Sequence, residues 1–260
     1  MIEHMIKPTL ILLHGFRGTH HGLEQIAKHL TEYNLVIPDL PGFGDGPTND
    51  TYDIDAYVKW TRELVSKYDK PFLLGHSFGS IVAAAYAAQY GDSISKLILV
   101  NPIGAPALEG PRGYLTKLAV FYYSLGKALP APLAKSWLSS KASTLIMSKA
   151  MTKTKDKELQ KFIDSQHLEH FSSFHSAQSV HEAFVTSVSN SVRDYAADIK
   201  VPTLLIAGEL DDITSLPQQK ELVKLLSDAT LVVIPKVGHL THYETPAEVA
   251  EAVQAFTRSV

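Results

Sequence analysis

Short unbroken apolar runs alternate along the chain with stretches whose apolar positions recur every three or four residues. The runs are Leu10 to Leu13, Leu35 to Ile37, Phe72 to Leu74, Leu97 to Val100, Leu204 to Ala207 and Leu231 to Ile234. Each is continuous rather than alternating, which marks a strand buried on both faces of a parallel sheet. Helical spacing falls between them, over Gly22 to Leu30, Tyr52 to Tyr68, Ile81 to Tyr90, Leu216 to Leu226 and from Pro246 onward, where proline suits a first helical turn. Strand and helix in alternation predict an α/β fold, a mostly parallel sheet of about six strands with helices on both faces.

The alternation lapses between Gly104 and Asp198. No strand pattern occurs there, and the spacing predicts helices over Tyr114 to Ala128, Leu133 to Lys149, Lys157 to Ser173 and Ala177 to Val188. The expected organisation is therefore a core made of residues 1–103 and 199–260, with residues 104–198 as a helical insertion.

Gly75-His76-Ser77-Phe78-Gly79 links the third apolar run to an Ala-rich helical stretch. A serine on a sharp strand-to-helix turn, with glycine two residues to either side where a side chain would collide, is a nucleophile elbow. A serine hydroxyl attacks a carbonyl only when a neighbouring base takes its proton, and the base needs an acid to hold its tautomer. Four further loops accompany the elbow: His14-Gly15-Phe16-Arg17-Gly18, Asp39-Leu40-Pro41-Gly42-Phe43-Gly44, Gly208-Glu209-Leu210-Asp211 and Gly238-His239.

Together these loops resemble the α/β-hydrolase superfamily, in its serine branch with a helical cap. The resemblance implies a cap over the mouth of the active site and a triad in the chain order Ser77, Asp211, His239. It implies that the backbone N–H groups of Phe16 and Phe78 form the oxyanion hole. It makes Asp39 an anchor of its own loop and leaves Asp212 facing solvent or capping the next helix. His14 and His76 are expected to shape the oxyanion loop and the elbow, and His242 is the weaker rival to His239. Serine at the elbow argues against the dehalogenase and epoxide hydrolase branches, which place aspartate there. Only about a dozen residues precede His14, so the antiparallel hairpin with which members of the superfamily begin is expected to be missing.

Composition narrows the partners. A formal net charge of −3 over 260 residues gives no electrostatic footprint for nucleic acid. With no cysteine, disulfides and thiolate ligands are excluded. The polar opening Met1 to Lys7 and the absence of a long apolar run lead us to expect no membrane span and a cytoplasmic protein. No cofactor and no metal is expected: His167, His170 and His175, with Phe171 and Phe174 between them, read as a cap face looking into the pocket. The lysines from Lys149 to Lys161 read as a solvated surface.

The expected ligand is a small ester with an apolar acyl part, in a pocket lined by Phe16, Phe78, Tyr122, Tyr123, Trp137 and Leu240, with Phe121 and Ile213 as further candidates. The expected activity is that of a carboxylic ester hydrolase working through an acyl-enzyme. Alternatives on the same scaffold are C–C bond hydrolysis of the meta-cleavage type, a menaquinone-pathway elimination, and a small-molecule receptor with vestigial hydrolysis.

Overall fold

The computed structural model describes residues 7–105 and 113–259. The polar opening Met1 to Ile6 and the start of the insertion after Ala105 lie outside the described residues. Strands β1 (Thr9–Leu13), β2 (Asn34–Val36), β3 (Phe72–His76), β4 (Lys96–Val100), β5 (Thr203–Gly208) and β6 (Ala229–Ile234) form one sheet in the order β2-β1-β3-β4-β5-β6. Every neighbouring pair is parallel. Connections wind one way from β1 to β2 and the other way from β3 to β6. Open parallel sheets hold their ligands at such a reversal, outside the carboxyl ends of the strands.

Side chains alternate across the pleat, and both faces are covered. Ile11, Leu13, Leu73, Leu97, Leu99 and Leu205 belong to one apolar cluster, with helices α2 (Ile54–Val65) and α3 (Phe78–Tyr90). Leu10, Leu12, Leu74, Ile98, Val100, Leu204 and Ile206 belong to another on the opposite face, with α1 (Glu24–Ala27) and α11 (Pro246–Arg258). Burial on both faces is why these strands carry continuous apolar runs. Helices α9 (Leu216–Leu225) and α10 (Thr241–Glu244) complete the core. Helix α2 is shorter than its spacing predicts, because the Asp53 side chain accepts from the Ala56 N–H and sets the start.

Helices α4 (Gly113–Ala128), α5 (Ala131–Leu138), α6 (Lys141–Met151), α7 (Lys157–His170) and α8 (Ala177–Ser189) lie between β4 and β5. The single helix predicted over Leu133 to Lys149 is two, because Ser140 caps α6 through its side chain and breaks the run. The stem closes where the Val192 N–H donates to the Ile103 carbonyl at 2.8 Å. Val192, Ala196 and Ile199 belong to the same apolar cluster as Leu97 and Leu99 of β4.

Backbone segments approach one another closely at the turn from β3 into α3. Ser77 sits at φ 51° and ψ −116°, a strained conformation for a residue with a side chain. A Cβ on Gly75 would lie 2.2 Å from the Gly79 carbonyl oxygen, and one on Gly79 would lie 2.3 Å from the Leu13 carbonyl oxygen. Backbone meets backbone here, so no rotamer change can make room. Gly79→Ala should cost about 3 kcal/mol or more and lower the thermal midpoint by at least about 6 °C. Gly91→Ala, where nothing lies within 4 Å, should leave the midpoint unchanged within about 2 °C; differential scanning calorimetry of the two variants checks the pair.

Candidate active site

The carboxyl ends of β3, β4 and β5 and the loop after β6 deliver four polar side chains to one place. Ser77 follows β3, Asn101 follows β4, Asp211 stands three residues beyond Gly208 at the end of β5, and His239 follows β6. His239 Nε2 is 2.8 Å from Ser77 Oγ, and His239 Nδ1 is 2.8 Å from Asp211 Oδ2. A carboxylate can only accept, so Nδ1 carries the imidazole proton and Nε2 is left to accept from the serine hydroxyl. Proton acceptor, orienting acid and hydroxyl thus form one hydrogen-bonded series.

Asp211 is buried, and burial alone would raise its pKa. The opposing effects win: the charge and hydrogen bond of His239, and the hydroxyl and N–H of Thr214, hold the carboxyl well below the usual range. Asp211 Oδ1 accepts from the Ile213 and Thr214 N–H groups at 2.7 and 2.9 Å, and Oδ2 accepts from Asn101 Nδ2 at 2.8 Å. Asn101 is itself fixed, at φ 45°, with its Oδ1 accepting from the Thr241 hydroxyl. Sequence reasoning passed over Asn101; its one signal was an amide residue at a strand end, just before a proline.

The adjacent acid goes elsewhere. Asp212 is exposed, as expected, and pairs there with Lys153 of the insertion; the N-cap of α9 is Ser215. Lys153 is accordingly more than part of a solvated basic run: its N–H also donates to Glu244 Oε1 at 2.9 Å.

The His14 loop forms a tight turn in which the Gly18 N–H donates to the Gly15 carbonyl, with Arg17 at φ 59°. His14 braces it from below, donating from Nδ1 to the Gly15 carbonyl and accepting the Leu40 N–H at Nε2. Burial pushes the His14 pKa down, so the ring is neutral as this bonding requires. Among the described residues the N–H groups of Phe16 and Phe78 have no hydrogen-bond partner. Arg17, buried, donates from Nε to the Phe171 carbonyl at 2.9 Å and from a terminal nitrogen to the Leu138 carbonyl at 2.7 Å. Asp39 accepts from the N–H groups of His20 and Asp45. Burial works to raise its pKa, but these donors outweigh it and the net shift is downward.

A cavity of about 830 Å³ opens beside Ser77, with Phe16, Phe78 and Leu240 on its walls and Ile213 at its exposed rim. Met147, Met151, Phe171 and Phe184 of the insertion supply the facing wall. Of the expected histidine face, His167, His170 and Phe171 reach the cavity, whereas His175 bonds the Gly44 carbonyl and Phe174 bridges to Phe43. The expectation for Tyr122, Tyr123 and Trp137 needs correcting. Tyr122 and Trp137 stack on each other along a separate depression bounded by Leu129 and Leu133. Tyr123 is buried behind Phe16 and Phe184, and Phe121 points to solvent. On α4, Tyr122 faces α5 and Tyr123 faces α8, a choice that helical periodicity alone does not make.

These are the parts of an open parallel α/β fold whose site lies beyond the carboxyl ends of its strands. A family profile for the α/β hydrolase fold matches residues 8–246, and the chain belongs to that family. It is 28% identical over 269 residues to Lipase 3 of Moraxella sp. (strain TA144), covering 95% of this chain and 76% of that protein. It is 28% identical over 267 residues to Monoacylglycerol lipase ABHD6 of Homo sapiens, covering 98% and 76%. Among solved structures, the esterase EaEST from Exiguobacterium antarcticum superposes with a TM-score of 0.78 at 19% identity, covering 97% of this chain and 92% of that one; the likeness is one of fold.

Three further histidines crowd the site and stay neutral. Burial, then the proximity of His239, pushes His76 down to about 3. Burial pushes His167 down to about 4 and His242 well below its ordinary value. In the unfolded chain these groups take up protons near pH 6.5, whereas in the folded chain they resist until far lower pH. The unfolded state therefore binds more protons across that window, so stability rises with pH and falls on acidification. Each such histidine should cost about 2 kcal/mol between pH 8 and pH 5. Thermal midpoints measured across that range should fall steeply, and His167→Gln should make the fall shallower; a flat profile would mean these rings are protonated in the native state.

Proposed function

We propose that the protein hydrolyses carboxylic esters through an acyl-enzyme on Ser77. The observation that carries this reading is the unbroken hydrogen-bonded series from Ser77 Oγ through the His239 ring to Asp211. In the proposed reaction Ser77 Oγ attacks the ester carbonyl carbon while His239 Nε2 takes the hydroxyl proton. The carbonyl oxygen, now an anion, is received by the N–H groups of Phe16 and Phe78. His239 returns the proton to the departing alcohol, and the C–O bond of the ester breaks. A water molecule then repeats the sequence on the acyl-serine, releasing the acid and restoring the hydroxyl. Asp211 stabilises the imidazolium formed twice in the cycle and is not itself protonated. The chemistry is complete in side chains and backbone.

The names of the relatives, a lipase and a monoacylglycerol lipase, support an ester with an apolar acyl chain. So do Met147, Met151, Phe171, Phe184 and Leu240 along the cavity. We read the helices between β4 and β5 as a cap whose inner wall sets the acyl preference. The C–C hydrolysis and elimination readings would need a clamp for a second carboxylate. Among the described residues on the cavity wall Arg17 is the one permanent cation, and two of its nitrogens are committed to main-chain carbonyls. No helix among the described residues is long and apolar enough to cross a membrane.

Labelling with a fluorophosphonate followed by peptide mass analysis should place the adduct on Ser77. An adduct elsewhere, or none on protein active against esters, would overturn the assignment. Ser77→Ala should lose on the order of six decades of turnover. Asp211→Asn should lose about four decades, because the imidazole is left in the wrong tautomer, and should also lower the melting temperature, because an amide nitrogen cannot accept the hydrogen bonds that a carboxylate oxygen accepts there. Asp212→Asn should stay within a few-fold of the wild type.

The cap reading has its own measurement. On p-nitrophenyl esters of graded length, Met147→Ala should change the rate on long acyl chains relative to acetate, whereas Trp137→Ala should leave that ratio alone. Equal losses on all chain lengths for Met147→Ala would count against the reading.

A further inference from the structure

The turn after the oxyanion loop carries a cluster that ester hydrolysis leaves unused. His20, His21 and Glu24 each offer one ligand atom, and the three atoms lie within 4.8 Å of one another. Local structure brings them together: a 3-10 turn over His20–Leu23 runs directly into α1, and residues three and four apart in such a segment share a face. All three are partly exposed, so an ion can reach them from solvent.

Two observations go beyond proximity. His20 Nδ1 lies 2.9 Å from Asp39 Oδ1, and the Asp39 side chain is only 2% exposed. That carboxylate also accepts the backbone N–H groups of His20 and Asp45. A carboxylate behind a ring in this way keeps the proton on Nδ1 and leaves the Nε2 lone pair for a ligand, the arrangement that orients and strengthens histidines at metal centres. The second observation concerns the insertion. The His170 ring at the end of α7 stacks on the His21 ring, with centroids 4.2 Å apart and planes within 24°. The His20 ring lies 3.9 Å from His21. Three imidazoles from two parts of the fold thus stand against one another beside a single carboxylate.

We propose that His20, His21 and Glu24 bind a divalent cation of the zinc class, with His170 turning in as fourth ligand, so that the metal staples the insertion to the core. Imidazole nitrogens with one carboxylate suit zinc and its late first-row neighbours, whereas calcium and magnesium ask for shells of oxygen. Bonds of about 2.0 to 2.2 Å at tetrahedral angles place neighbouring ligand atoms roughly 3.3 Å apart, so the cluster needs a small closure to grip an ion. The site borders the cavity: Thr19, Gly22, Leu23 and His170 lie on its wall. Binding would therefore restrain α7 at the cavity wall, without taking part in the serine chemistry.

Titration of chelator-stripped full-length protein with zinc chloride, followed by isothermal calorimetry and by the thermal midpoint, tests the site. One equivalent should bind with a dissociation constant at or below about 10 μM, a range that three or four such ligands support, and the midpoint should rise by several degrees. His21→Ala and Glu24→Gln should each weaken binding at least tenfold while keeping the metal-free midpoint of the wild type. His170→Ala should weaken it at least threefold, and His181→Ala, remote on α8, should not change it. Because His21 and Glu24 are tested separately, failure of one variant to fold leaves the other to decide. Absence of saturable binding below about 1 mM, or affinity unchanged in His21→Ala and Glu24→Gln, would overturn the site. The latter result would place the ion among the cavity histidines instead. Unchanged affinity in His170→Ala would overturn the staple.

Discussion

Three stretches of backbone come into contact at the elbow: the end of β1, the end of β3 and the first turn of α3. The space that a Cβ on Gly75 or Gly79 would occupy is already filled by carbonyl groups of Gly79, Leu13 and His14. This contact is what holds Ser77 in a conformation that its own side chain disfavours, at a cost of order 1 to 3 kcal/mol that the packing of the surrounding sheet and helix must offset. It can do so because α3 is buried from Phe78 to Ala87. The strain has a geometric return. A serine at φ 51° lifts its hydroxyl clear of both strand and helix, and Phe78, at the first helical position, has no intrahelical acceptor for its N–H. The His14 loop is drawn in by the same approach, since Gly15 lies against His76 and Ser77.

The other half of the site depends on a second close approach. A Cβ on Gly208 would fall 2.3 Å from the Gly238 carbonyl oxygen, so the loops bearing Asp211 and His239 cross at backbone distance. Asn101 ties them from a third strand, donating to Asp211 and, at 3.3 Å, to the Gly238 carbonyl. Buried polar networks of this kind hold geometry well when every member is satisfied and cost heavily when one is not. Here each oxygen of Asp211 accepts at least two hydrogen bonds. The carboxylate stays ionised in a nearly water-free place for that reason.

The sequence made the sheet legible because burial on both faces leaves continuous apolar runs, and it made the elbow legible because glycine is enforced there by contact. The resemblance to the family's acid turn distinguishes Asp211 from Asp212, and the two side chains do part, one toward His239 and the other toward Lys153. What stayed hidden was whatever depends on packing between distant segments. Tyr122 and Trp137, aromatic and within the insertion, are candidates for the cavity by sequence, yet they satisfy each other across α4 and α5. The break at Ser140 is hidden because serine favours caps, yet Ser136, Ser139, Ser143 and Ser148 are spread through the same stretch and offer the same signal. Among the described residues the Asn101 side chain has no partner within its own segment, and its role exists only once β5 and the His239 loop lie beside β4.

Arg17 was hidden for the same reason, and its consequence reaches further. The residue next to Phe16 in the proposed oxyanion hole is an arginine with almost no exposure, held over the rings of Phe171 and Phe174. A buried guanidinium is tolerated only where its donors are used, and here the acceptors are main-chain carbonyls of α5 and of the residue just past α7. One of its terminal nitrogens remains unpaired among the described residues. Removing the insertion from its seat would strip two acceptors from a charge that water does not reach, so the turn bearing Phe16 could not keep its shape while the insertion moved far. Coupling in the reverse direction follows from the same bonds, because a change in the turn alters the carbonyls that α5 and α7 present. The insertion's side of the cavity and the turn bearing Phe16 are therefore one mechanical unit, joined by Arg17 and by the contacts of the Phe16 ring with Tyr123 and Phe184.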